Sequence, residues 1–144
     1  MEIQEVVMVE RSRERDADVL NRPGKRSVQI VSVDSAFDAK ATVTRVTLEP
    51  GAVSPRHSHQ CSEQIWLVEQ GRARLLLADG SEQMVPGDVV RTRAGEVHGI
   101  DNDGGAQFVY LTVTCPPEDM AGFYDDPGEP ATDPRGEHQG NLHP

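Results

Sequence analysis

Two histidine-bearing stretches constrain this chain more than anything else in it. The first, residues 51–71, is G-A-V-S-P-R-H-S-H-Q-C-S-E-Q-I-W-L-V-E-Q-G; the second, residues 87–102, is G-D-V-V-R-T-R-A-G-E-V-H-G-I-D-N. His57 and His59 stand two apart on a stretch that reads as a strand, and strand residues i and i+2 share a face. His98 joins them if the sheet closes on itself. Three convergent imidazoles with Glu63 or Gln64 nearby make a site for one divalent metal ion, because neutral imidazole with a carboxylate or amide oxygen suits Fe, Zn, Ni, Mn or Co.

The rest of the chain supplies the walls such a closure needs. S-V-Q-I-V-S-V, A-T-V-T-R-V-T-L, Q-I-W-L-V-E, R-A-R-L-L-L-A, D-V-V-R-T-R and Q-F-V-Y-L-T-V-T are short β-branched segments, separated by P-G, A-D-G-S, A-G-E and D-N-D-G-G turn signals. That spacing predicts an all-β sandwich or barrel. No segment of convincing helical period occurs, and no internal repeat, so one barrel is expected. Gly51 and Gly71 read as turn glycines bracketing a hairpin. Gly95 lets the chain bend before His98, and Asn102 ties the turn that follows through its side chain.

The two stretches resemble the paired motifs of the cupin superfamily, G-x5-H-x-H-x3–4-E-x6-G and G-x5-P-x-G-x2-H-x3-N. Gly51, His57, His59 and Gly71 fit the first, and Gly87, Gly95, His98 and Asn102 the second. Two positions depart: counting back from Gly71 puts Gln64 where the glutamate usually stands, and Arg93 replaces the proline. The resemblance covers residues 51–102, or roughly 27–115 with flanking strands. It implies a double-stranded β-helix (jelly-roll) barrel of the small single-domain kind, with one divalent metal held by His57, His59, His98 and a fourth group. Some cupins with an H-x-H…E-Q sequence, similar to this one, use glutamine as that fourth ligand; among them are small barrels acting on unsaturated uronate sugars. Adjacent strand residues face opposite sides, so only one of Glu63 and Gln64 points inward, and Gln64 shares the parity of Trp66 and Val68.

The expected organisation is an N-terminal arm (1–26), a barrel (27–115) and an irregular acidic tail (116–144). The tail holds seven acidic residues against one arginine and is rich in Pro and Gly, which reads as a solvated extension; Phe123 and Tyr124 are its candidate anchors, and His138 and His143 read as incidental. Aromatics are only 4% of the chain, so Val, Leu, Ile and Ala must build most of the core. A net charge of −10 argues against nucleic-acid binding, which needs clustered Lys and Arg. No apolar run approaches the roughly 18–20 residues of a membrane span, and no secretory signal is apparent, so a cytoplasmic location is expected. Cys61 and Cys115 do not make a disulfide framework; Cys61 reads as a free thiol in the connecting turn.

The expected function is that of a metal-dependent enzyme on a small polar molecule, of carbonyl, hydroxy-acid or sugar-acid type. Three imidazoles and a neutral amide leave the full charge on the ion, which favours Lewis-acid isomerase, lyase or cyclase chemistry. An iron-dependent dioxygenase and a non-catalytic metal-stabilised binding module are the alternatives. Tyr110, on the last strong strand, and Arg93, beside the second motif, are the candidate catalytic residues. Trp66 and Arg45 are expected in the substrate pocket, the arginine because its side chain can clamp a carboxylate. Jelly-roll barrels leave edges to cover, and a homodimer through an N-terminal strand is a common solution in the resembling family; it is the expectation here.

Overall fold

A computed structural model describes residues 8–118; the expected anchors Phe123 and Tyr124, the two tail histidines and the apolar Ile3, Val6 and Val7 lie outside the described residues. The strands are β1 (Asp18–Arg22), β2 (Lys25–Val31), β3 (Thr42–Leu48), β4 (Val53–His57), β5 (Glu63–Gln70), β6 (Ala73–Leu77), β7 (Ser81–Met84), β8 (Val89–Thr92), β9 (His98–Asp101) and β10 (Phe108–Cys115). The only helical piece among the described residues is the 3-10 turn Glu14–Asp16. None of these residues forms a helix long and apolar enough to cross a membrane.

Two antiparallel sheets face each other as a jelly-roll barrel. The larger runs β1-β2-β3-β10-β5-β8, the smaller β4-β9-β6-β7. Strand pairing begins at Asp18, where β1 folds back on β2 around Gly24. The segment bracketed by Gly51 and Gly71 is not a hairpin: β4 belongs to the smaller sheet and β5 to the larger. The chain crosses between sheets just where the first two histidines lie, so one short stretch contributes to both walls.

Strict alternation builds the interior. Along β3, Thr42, Thr44, Val46 and Leu48 are buried between half-buried neighbours. Along β10, Phe108, Tyr110, Thr112 and Thr114 do the same, and on β5 Gln64, Trp66 and Val68 are buried at every second position between half-buried or exposed neighbours. Antiparallel register sets Leu48 against Phe108 and Val46 against Tyr110, and Thr44 against Thr112 and Thr42 against Thr114. One end of the barrel is therefore apolar, with Leu48, Phe108, Met84 and Ile100 almost fully buried, each worth about 1.5–3 kcal/mol in transfer from water. The other end is lined by hydroxyls.

Asn102 closes the apolar end. Its side-chain amide donates to the carbonyls of Leu48 and Ala106, 3.0 Å each, and its oxygen accepts from Gly104 N at 3.2 Å. Gly71 sits at φ +76°, and a Cβ there would fall 2.1 Å from the Gln107 carbonyl oxygen. No other residue fits this turn without moving the backbone.

Candidate metal centre and adjoining cavity

β4 and β9 pair so that His57 lies directly opposite His98. The register of β4 shifts between Ser54 and His57, across Pro55, which has no N–H to give the ladder. Beside His98, Gly99 lets the strands close up: a Cβ there would meet Ser54 O at 2.7 Å and Arg56 N at 2.9 Å. His59 is not on the strand, which ends at His57. A loop carries it back toward the same point, pinned where Gly95 N donates to His59 O at 2.8 Å. Convergence of the first two imidazoles thus comes from the loop rather than from strand parity.

The three rings sit 4.5–5.1 Å apart by centroid, and one nitrogen from each lies within 4.8 Å of the others. His57 Nδ1 is 2.7 Å from Pro55 O, and His98 Nδ1 is 3.0 Å from Glu96 O. A carbonyl only accepts, so both Nδ1 atoms carry the proton and both Nε2 atoms keep a lone pair. His98 Nε2 is buried and hydrogen-bonds to no described residue. Burial, with His98 as a like-charged neighbour, holds His57 well below the ordinary histidine range. Burial, with His59 as neighbour, pushes His98 down to about 4. Neutral imidazoles with inward lone pairs and an unsatisfied buried acceptor are what a divalent cation requires. The residues fit such an ion.

His59 brings a group that the sequence did not single out. Its Nδ1 lies 3.0 Å from Glu118 Oε2, with the two side chains only 1% and 6% exposed. Apart from this contact, no described residue hydrogen-bonds either carboxylate oxygen. A carboxylate behind a metal-binding imidazole fixes its orientation and raises its basicity. By sequence Glu118 belongs to the acidic tail, and nothing in its local pattern separates it from its neighbours there.

Gln64 is buried and lines the cavity; its Oε1 accepts from Trp66 Nε1 and its Nε2 donates to Thr114 Oγ1, both at 3.1 Å. One amide lone pair is thus engaged and one remains. Glu63 turns outward to Arg91, Oε2 to Nε 2.6 Å, and the hydrogen bond from that guanidinium lowers its pKa. Cys61 and Cys115 are exposed, free thiols.

A small cavity with an open mouth adjoins the histidines through His57, Gln64 and Trp66. Trp66 packs edge-on against His98, centroids 5.5 Å apart. Tyr110 lies beside Trp66 at 5.2 Å, and both line the cavity. Arg45 and Arg93 do not meet the expectation that they reach a substrate. Arg45 lies between inward-facing Thr44 and Val46, so parity turns it outward, where it pairs with Glu14 at 2.7 Å and with Glu69. Arg93 follows buried Thr92 and is an exposed residue 3.6 Å from Glu96. In their place the wall carries Lys25, Gln29, Thr44, Thr112 and Thr114. The T-x-T repeats in A-T-V-T-R-V-T-L and L-T-V-T, with the inward parity of Val46 and Tyr110, were the available signal.

The family profile described as "Cupin domain" matches residues 44–114. The chain belongs to the cupin superfamily. Solved structures similar to this cupin include KdgF from Halomonas sp., 20% identical over 72% of this chain and 92% of that one, TM-score 0.63. Another is a sugar phosphate isomerase of the cupin superfamily from Silicibacter pomeroyi, 27% identical over 65% and 60% of the two chains, TM-score 0.57. The polyketide cyclase RemF from Streptomyces resistomycificus is 23% identical over 75% and 80%, TM-score 0.63. No curated protein matches the cupin in sequence.

Proposed function

We propose that this cupin is a divalent-metal-dependent enzyme acting on a small polar molecule of carbonyl, hydroxy-acid or sugar-acid type, by isomerase, lyase or cyclase chemistry. The observation that carries the proposal is the set of three imidazoles, His59 and His98 buried and His57 half-buried, whose ligand nitrogens lie within 4.8 Å of one another, opening through His57 onto a cavity whose wall includes hydroxyl and amide groups. A bound ion would act as a Lewis acid on a substrate oxygen. His57, His59 and His98 would hold it, with the remaining lone pair of Gln64 Oε1 as the fourth donor. Among the described residues no carboxylate lines the cavity, so Tyr110 is the side chain assigned to proton exchange with the substrate, and Trp66 is the wall against which the substrate lies. The Silicibacter pomeroyi neighbour, named as a sugar phosphate isomerase, is consistent with chemistry of this class.

The test is metal analysis of the purified protein, followed by proton NMR in D2O with a panel of small ketoses, keto-acids and hydroxy-acids. Metal-dependent deuterium incorporation next to a carbonyl, retained with Zn, Ni or Mn under anaerobic conditions, is the expected result. Iron-dependent oxygen uptake at an oxygen electrode would replace this chemistry with that of a dioxygenase. Ligand binding without turnover would leave a metal-stabilised binding module. If His57→Ala left both metal content and ligand binding unchanged, any metal-centred function would fail.

A further inference from the structure

The cavity wall narrows the substrate further. The chain has 24 acidic residues against 14 Lys and Arg, yet among the described residues lining the cavity there is no Asp or Glu and one cationic side chain, Lys25. Its Nζ donates to Oγ of buried Ser54 at 3.1 Å, which fixes the ammonium against β4, the strand that ends in His57. The same cavity is lined by Thr44, Thr112 and Thr114, and Thr112 Oγ1 is buried with no hydrogen-bond partner among the described residues. A buried hydroxyl left unsatisfied is destabilising until a ligand pairs with it.

Resting on the metal-dependent reading above, we infer that the substrate is a small organic anion, a carboxylate bearing hydroxyl or carbonyl groups, with its charged end received by Lys25 and its hydroxyls by the threonine wall. The lysine supplies a point charge that can follow the anion on its flexible stem. The threonines both donate and accept, which suits hydroxyls and leaves a purely hydrocarbon chain poorly solvated. A neutral sugar or polyol would satisfy the wall but not the ammonium.

The experiment measures binding of D-glycerate against glycerol, and of D-glucuronate against D-glucose, by calorimetry on zinc-loaded and metal-free protein. The wild type should prefer the acid of at least one pair by about tenfold, the worth of roughly one charged hydrogen bond. Lys25→Met should erase the preference in both forms, and Lys25→Arg should restore most of it, while chelator competition shows unchanged zinc affinity for both variants. Near-ultraviolet circular dichroism checks that the variants fold, and the arginine variant carries the test should the methionine one not. No preference for either acid in the wild type, or a preference that survives Lys25→Met, would overturn the inference. A protein that takes up no zinc but keeps a Lys25-dependent preference would sink the metal-centred function and leave the anion site standing. Normal zinc uptake without that preference would do the reverse.

Discussion

At the scale of single residues, the centre depends on which nitrogen of each imidazole is left free. Two backbone carbonyls settle this for His57 and His98, and Glu118 faces His59 Nδ1. Replacing Glu118 with Gln should weaken metal affinity about 10- to 100-fold, the usual effect of removing such a partner, while Glu63→Gln should change it little; chelator competition measures both. The pH response of the metal-free protein follows from the depressed imidazoles. With a folded pKa of about 4 at His98 against about 6.5 unfolded, the unfolded chain binds more protons throughout that interval. Stability is then fully present above the unfolded value and falls as pH drops from about 6.5 to 4. The loss from His98 is about 3 kcal/mol, with His57 shifted in the same direction. Urea titrations at pH 7.5 and pH 4.5 should show a lower midpoint at the acidic pH, and His98→Phe should flatten that dependence.

At the scale of elements, alternation made much of the barrel legible. The β3, β5 and β10 segments, their inward parity and the placement of Gln64 over Glu63 follow from a two-residue period. Other features depend on partners that a period does not name. β4 and β9 are short and weakly patterned, and their histidines meet because Gly99 permits close approach and a loop returns His59. Arg45 was readable as outward from its own parity, whereas Lys25 was hidden because its strand begins one residue after a turn glycine and opens on polar residues. Glu118 owes its position to packing beyond the last strand, where no periodicity applies. Turn glycines carry a sharper expectation: Gly71→Ala must relieve both a positive φ and a 2.1 Å clash with Gln107 O. It should destabilise by at least about 1–3 kcal/mol, seen as a lowered melting temperature with the metal-binding stoichiometry intact.

At the scale of the whole molecule, the outer face of the larger sheet is unexpectedly apolar. Leu67 and Val89 are register partners, 41% and 65% exposed, beside half-buried Ile65, Leu111 and Val113. β1 and β8 end that sheet. We propose that a second copy of the chain covers part of this surface, an interface different from the N-terminal strand through which the sequence predicts a homodimer. Light scattering at micromolar concentration should report twice the monomer mass, and Leu67→Asp with Val89→Asp should halve it; a monomeric wild type would end that proposal.

A cavity lining without acids among the described residues, set in a chain of net charge −10, also bears on kinetics. An approaching anion is repelled by the molecule at long range and attracted only near the mouth. Added salt shortens the reach of the repulsion to about 8–10 Å while a partly enclosed ion pair is screened less. Association of a carboxylate should therefore quicken as ionic strength rises, the opposite of ordinary electrostatic steering, and stopped-flow mixing across a salt series would register the inverted slope.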